Sequence, residues 1–447
     1  MDAVKQNFQK IVDQARQDGA KVEMLISGGE NLKIGYSKKK LESFESTQSQ
    51  MAGLRVILGA NQGYAYTENL SLESLLRTYK EALANAKTVQ KPQAVAVPLL
   101  QQQNVQAMKD LFRPEDIAMD KKMEVARLLE EMCLAKDKRV QSVPYSGYRE
   151  SMHFKRILNS EGLDQEFKQN YLSGYAYALA KEGESSKMDG EGFFVRSFKD
   201  INLDEVINEG VSRAVSRLGA GKLPTGRYAV VIDRTQFPMI LQMIADYFSA
   251  KEVDEGKSLF KGKLGQKIAS EKFQLVDDPF VPHGSALRPF DDEGAASQKT
   301  VLFENGVLKN YLTNLEYSVK MNLPHTAHAQ RSPASQMGIG PSNLVVAKGT
   351  KSLQELLASY DKVVHLTEFS AGLHAGFKES TGDFSMPAEG FLYENGKKVG
   401  PIDQFVVSGN VVELLADIVD VGNEYNKPGS SMICPDVLVK PQSFAGA

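Results

Sequence analysis

Few side chains in this chain are equipped for chemistry, and their spacing limits what they can do. Of six histidines, His325 and His328 stand three apart in Pro-His-Thr-Ala-His. On a helix they would share a face and offer two imidazoles to a metal. Pro324 and the lack of an apolar stripe put them in a loop instead, where local hydrogen bonding is the plainer role. Neither this pair nor His153, His283, His365 and His374 falls in a His-Glu-x-x-His pattern. Cys434, in Ser-Ser-Met-Ile-Cys-Pro, is a candidate thiolate ligand or nucleophile. A thiol needs a nearby base or cation to become reactive, and the sequence shows none, so a buried inert thiol is the simpler expectation. Cys133, beside Met132 on an apolar helical stretch, reads as core.

The segment 378–390 carries a different signal. Thr381, Gly382, Asp383, Phe384 and Ser385 make a turn-prone stretch ahead of a strand. It reads either as a surface turn or as an edge at which Gly382 lets a bound peptide approach and add a strand. No phosphate loop, dinucleotide fingerprint or serine-nucleophile elbow is present.

These residues need elements to position them. Val4, Phe8, Ile11, Val12 and Ala15 recur at helical spacing, and with no apolar h-region before them they read as a folded helix rather than a signal peptide. Alternating strands and a second helix, in which Leu72, Leu75, Leu76, Tyr79, Leu83 and Ala86 share a stripe, complete a module over residues 1–90. A Pro- and Gln-rich stretch from residue 90 to 106 is the linker candidate. A middle α+β segment runs from 91 to 220, and its closing helix carries Val206, Ile207, Gly210, Val211, Ala214 and Leu218 on one face. Residues 221–447 form a β-rich domain with a few helices. There Glu-Asn-Gly at 304–306 and 394–396 marks two tight hairpins and a mainly antiparallel sheet. The fold class expected is therefore α+β.

Within that last domain, Gln236–Ala250 reads as an amphipathic helix after the strand Gly226–Arg234, with Phe237, Ile240, Leu241, Ile244 and Phe248 in one apolar stripe. Periodicity gives it a packing role and nothing more. The 53 basic and 56 acidic residues leave a net charge of -3 without single-sign blocks, which argues against a nucleic-acid or anionic-membrane surface. No run reaches the length of a membrane span, and two distant cysteines suit a reducing cytoplasm.

Several stretches taken in order resemble the TldD/PmbA family, in particular its PmbA (TldE) branch. They are Lys38–Leu75, Gly256–Ser270, Asp277-Asp-Pro279, Arg288–Asn314, Ser380–Ile402 and Val407–Tyr425. The resemblance implies a cytosolic TldD-TldE heterodimer that trims or degrades unfolded peptides with zinc. In that pair the catalytic TldD-type subunit carries His-Glu-x-x-x-His on a helix. Counting back from Gly256, that motif falls here on Leu241, Gln242 and Asp246, and Cys434 falls where the catalytic branch has a cysteine ligand. Leu241 cannot ligate and Gln242 cannot serve as a base. The resemblance thus implies a chain with no catalytic residue or zinc of its own, and a TldD-type partner that holds the metal. The alternatives are a homodimeric peptidase with an unorthodox site drawn from His325, His328, Asp246 or Cys434, and a regulator that binds DNA gyrase, as an older family name suggests.

Overall fold

The computed structural model of the protein describes residues 2–88, 98–372 and 376–446; His374 and much of the expected linker lie outside them. Helix α1 (Asp2–Gln17) buries Phe8, Ile11, Val12 and Ala15, the stripe that its spacing predicts. Strands β1 (Lys21–Ser37) and β2 (Lys40–Leu58) follow as a long hairpin. Its turn residues, Lys38 and Lys39, both have positive φ, at 51° and 61°, which L side chains seldom adopt. Glu130 offsets this cost. Its buried carboxylate accepts the backbone N–H of Lys38 at 2.6 Å and of Lys39 at 2.9 Å.

Strand β3 (Asn61–Thr67) and helices α2 (Leu72–Thr88) and α3 (Met119–Lys136) come next. Strands β4 (Val140–Asn159), β5 (Asp164–Glu182) and β6 (Ser185–Val195) lead into α4 (Leu203–Ser216). All six strands form one antiparallel sheet in the order β3-β2-β1-β4-β5-β6. The ladder therefore runs without a break from the N-terminal module into the middle segment, because β1 pairs with β4 from Glu23–Asn159 to Ile34–Tyr148. Helices α1 and α2 share one core with β1 and β2. Helices α3 and α4 share another with β5.

The C-terminal unit is built on β7 (Gly226–Ile232), α5 (Phe237–Ala245), β8 (Lys362–Phe369), β9 (Asp383–Glu394), β10 (Lys397–Asn410), β11 (Ile418–Tyr425) and β12 (Pro435–Ala445). The order β9-β8-β7-β12-β10 closes on itself, since β9 also pairs with β10. Most pairings are antiparallel, but β7 and β8 run parallel. Both Asn-Gly turns occur as expected, with Asn305 and Asn395 near φ 50° and 48° and the glycines after them also positive. A smaller five-stranded sheet that includes Thr300–Glu304 and Leu344–Val346 packs into the same core as α5.

A buried ionic cluster joins the first sheet to this unit. Glu23 on β1 accepts two bonds from Arg55 on β2, both 3.0 Å, and one from Arg331 at 2.6 Å. Arg55 also faces Glu293 at 3.7 Å, and Lys155 on β4 meets Asp292 at 2.5 Å. Gly53 fits here because it lacks a side chain: a Cβ would lie 2.0 Å from the carbonyl oxygen of Pro333. Burial opposes the charge on Arg55, but the carboxylate of Glu23 reverses the balance and holds the guanidinium firmly protonated.

Candidate functional site

Helix α5 is short and hydrophobic because a strand end and a proline start it and a 3-10 turn at Asp246–Phe248 ends it. Phe237, Ile240, Leu241, Ile244 and Phe248 are fully enclosed in the main core, while Gln242 and Asp246 are exposed. The geometry follows from the helix itself. Five residues turn through about 500°, so positions 241 and 246 point roughly 140° apart. Leu241 faces inward and Asp246 outward. Zinc needs about three convergent donors and a nearby base. At the positions that the resemblance assigns to the motif, the first has no donor atom and the glutamate position holds an amide. These residues do not fit the metal.

Cys434 lies in the same core with no exposure, and its Sγ donates to the carbonyl of Arg234 at 3.5 Å. Burial, reinforced by Asp436 and Asp233, pushes its thiol well above the usual range. Burial alone pushes Cys133 up to about 12. Both thiols are therefore protonated at neutral pH. Iodoacetamide at pH 8 is expected to leave both unlabelled in native protein and to label two per chain in urea. Mass spectrometry that found stoichiometric native labelling of Cys434 would show an accessible thiolate instead.

His325 and His328 do not converge on one centre. His328 is buried, with Nε2 2.9 Å from Asp277 Oδ1 and Nδ1 2.9 Å from Thr326 Oγ1. Asp277 also accepts the backbone N–H of Ser342. Both ring nitrogens of His328 are thus committed to local bonds. His325 instead comes within 4.8 Å of carboxylate oxygens on Asp291 and Glu293. Burial raises both acids and lowers His325, as expected where charge is poorly solvated. Asp291 has both oxygens occupied by backbone N–H groups, those of Glu293, Ala295 and Ala329.

The Thr381–Ser385 segment sits at a strand start with both flanks taken. Gly382 has φ 77°, as a tight turn requires. Asp383 and Phe384 pair with the short strand Phe377–Lys378 on one side and with Asn410 and Gly409 of β10 on the other. Ser385 donates its N–H to Gly376 and pairs with Ser408. Thr381 and Asp383 bond to each other and to Asn410. Of the two readings of this segment the structure shows the turn, since the edge is occupied by the chain's own backbone and Phe384 is buried.

Sequence reasoning missed a cluster at the end of the central strands. Asp233, His365 and Asp436 come together beside a cavity of about 600 Å³. The available signal was a histidine inside the apolar strand Val363–Leu366 and an aspartate ending Val-Val-Ile-Asp. Nothing in their spacing pairs them.

The class that the architecture matches is a three-part metallopeptidase. The "PmbA/TldA metallopeptidase" descriptions match as domain 1 over residues 22–86, central domain over 112–218 and C-terminal domain over 225–446. The chain belongs to the PmbA/TldD family. It is 24% identical to metalloprotease PmbA of Escherichia coli O157:H7, over 96% of this chain and 93% of that one. A solved structure of a candidate modulator of a DNA gyrase from Thermotoga maritima is 28% identical, with TM-score 0.90 over 99% of this chain and 100% of that one. TldE from Thermococcus kodakarensis, 21% identical, shares the fold with TM-score 0.85 over 98% of this chain and 100% of that one. Among the described residues, no helix is long and apolar enough to cross a membrane.

Proposed function

We propose that this chain is a PmbA/TldE-type subunit of a cytosolic metallopeptidase that trims or degrades unfolded peptides, and that it contributes substrate-binding surface while a TldD-type partner holds the zinc and performs the hydrolysis. The observation that carries this reading is Leu241. At the position that the family resemblance assigns to the first zinc ligand, this chain has a fully buried aliphatic side chain. Gln242 and Asp246 are exposed on other sides of the helix. The family's metallopeptidase descriptions and the E. coli relative named a metalloprotease support the reaction class.

The test uses the purified full chain, zinc and an extended fluorogenic peptide. No cleavage above background is expected from the chain alone, and chelator-sensitive cleavage is expected once a TldD-type subunit is added. Chelator-sensitive cleavage by this chain alone would replace the subunit reading with that of a self-sufficient homodimeric peptidase.

A further inference from the structure

Three neighbouring strands bring one donor each to the same spot. Asp233 directly follows β7, His365 lies on β8, and Asp436 is the second residue of β12. The registers make them neighbours: Leu366 pairs with Ile232, Val437 also pairs with Ile232, and the N–H of Asp233 bonds to the carbonyl of Leu366. Side chains alternate along strands. Val231, Val363 and Leu438 face the small core under helix Leu353–Leu357, so Asp233, His365 and Asp436 share that face. Val230, Ile232, Val364 and Val437 face the core that contains α5. The three donors are therefore on the opposite side of the sheet from the helix where the catalytic branch carries its motif.

The donors are preorganised. Asp233 uses Oδ1 to accept the backbone N–H and hydroxyl of Thr235, which leaves Oδ2 on His365 Nε2 at 3.1 Å. Asp436 uses Oδ1 to accept the N–H of Arg234. Its Oδ2 lies 3.4 Å from Arg234 Nε, but that guanidinium also bonds Glu424. One ligand atom from each of the three residues lies within 4.8 Å of the others. Coordination bonds of about 2.1 Å place tetrahedral ligand atoms about 3.4 Å apart, so small side-chain shifts suffice. Backbone hydrogen bonds to the remaining carboxylate oxygens are the kind of support that metal-binding acids use.

Asp233 and His365 line the cavity at the junction with the middle segment, whose Tyr177 and Arg213 form the other wall. Such crevices at the carboxyl ends of parallel strands are common ligand sites. Thr367 Oγ1, buried and without a hydrogen-bond partner among the described residues, lines the same cavity. The Asp291, Glu293 and His325 group is the weaker competitor, since three backbone N–H groups fill Asp291 and Glu293 is held by the Leu315 N–H and by Arg55.

We propose that Asp233, His365 and Asp436 bind one divalent transition-metal ion beside this cavity. The ion takes the place of the proton shared by His365 Nε2 and Asp233 Oδ2. One imidazole with two carboxylates suits Zn²⁺ or Mn²⁺, and three protein ligands leave a position open toward the cavity. This inference does not depend on the subunit reading above.

The test begins with full-length protein stripped by chelator and titrated calorimetrically with Zn²⁺, then separately with Mn²⁺. One ion per chain is expected for at least one of the two metals. His365→Gln and Asp436→Asn should each weaken its binding at least about tenfold, while Glu293→Gln should not. An anomalous-scattering peak for that metal, in crystals of unmodified protein, should fall among the three side chains, and this settles the matter even if a variant fails to fold. Absence of stoichiometric binding of both metals, equal binding by both variants, or a peak elsewhere overturns the proposal. Metal bound here without peptide cleavage upholds both this proposal and the subunit reading. Cleavage that His365→Gln abolishes would keep the metal and remove that reading.

Discussion

Glu23→Gln is expected to cost about 3–5 kcal/mol of stability, the range found when one partner of a buried ion pair is removed. Glu23 has no solvent exposure and is the shared acceptor for Arg55 and Arg331, themselves almost wholly buried. Glutamine keeps the volume, but it removes the charge and turns one acceptor into a donor facing guanidinium groups. Arg55 would then keep Glu293 at 3.7 Å, and Arg331 would lose the carboxylate it bonds. The proper comparison is Glu45→Gln, which breaks an exposed pair with Lys33 and should change stability by less than about 1 kcal/mol. Urea unfolding of the two variants and the parent checks both values. A loss below about 1 kcal/mol for Glu23→Gln would mean that the cluster does not hold the first sheet to the C-terminal unit.

The second large effect concerns the helix that carries the functional reading. Restoring the catalytic pattern with Leu241→His, Gln242→Glu and Asp246→His together is expected to yield no peptidase and to cost about 2–5 kcal/mol. The loss comes almost entirely from position 241. There an imidazole replaces a leucine enclosed among Phe237, Ile240, Ile244 and Phe248, combining lost packing with an unpartnered polar group. The other two changes lie at the surface and should be nearly neutral. Catalysis should not appear, because a histidine at 241 would point into the closed core and the Cys434 thiol stays buried and protonated. Zinc-dependent cleavage of an extended peptide by the triple variant would overturn this geometric account.

Much of the fold was legible because it rests on periodic patterns. The α1 stripe, the stripe of α5 and the two Asn-Gly hairpins each follow from a local rule about spacing or backbone angle. The site was less legible, since its parts meet only through tertiary structure. Glu23 reads as the polar member of an alternating strand, yet β1 is covered on both faces from Val22 to Ile26, and its partner Arg331 is 308 residues away. Asp233 and His365 are 132 residues apart and meet only because β7 and β8 lie side by side. His325 and His328 show the converse. They are close in sequence, yet His328 bonds Asp277 and Thr326 while His325 lies beside Asp291 and Glu293.

The pairing of β1 with β4 has a consequence for how the chain is made. During synthesis the hairpin of β1 and β2 is complete once residue 58 is available, but the strand that covers the free edge of β1 ends only at Asn159. At about 5–20 residues per second, a ribosome leaves that edge uncovered for roughly 5–20 s. Exposed strand edges recruit other strands. Nascent chains on one messenger are thus exposed to pairing with each other during this interval, and Lys33, Glu45 and their charged neighbours along the outer hairpin are placed to discourage it.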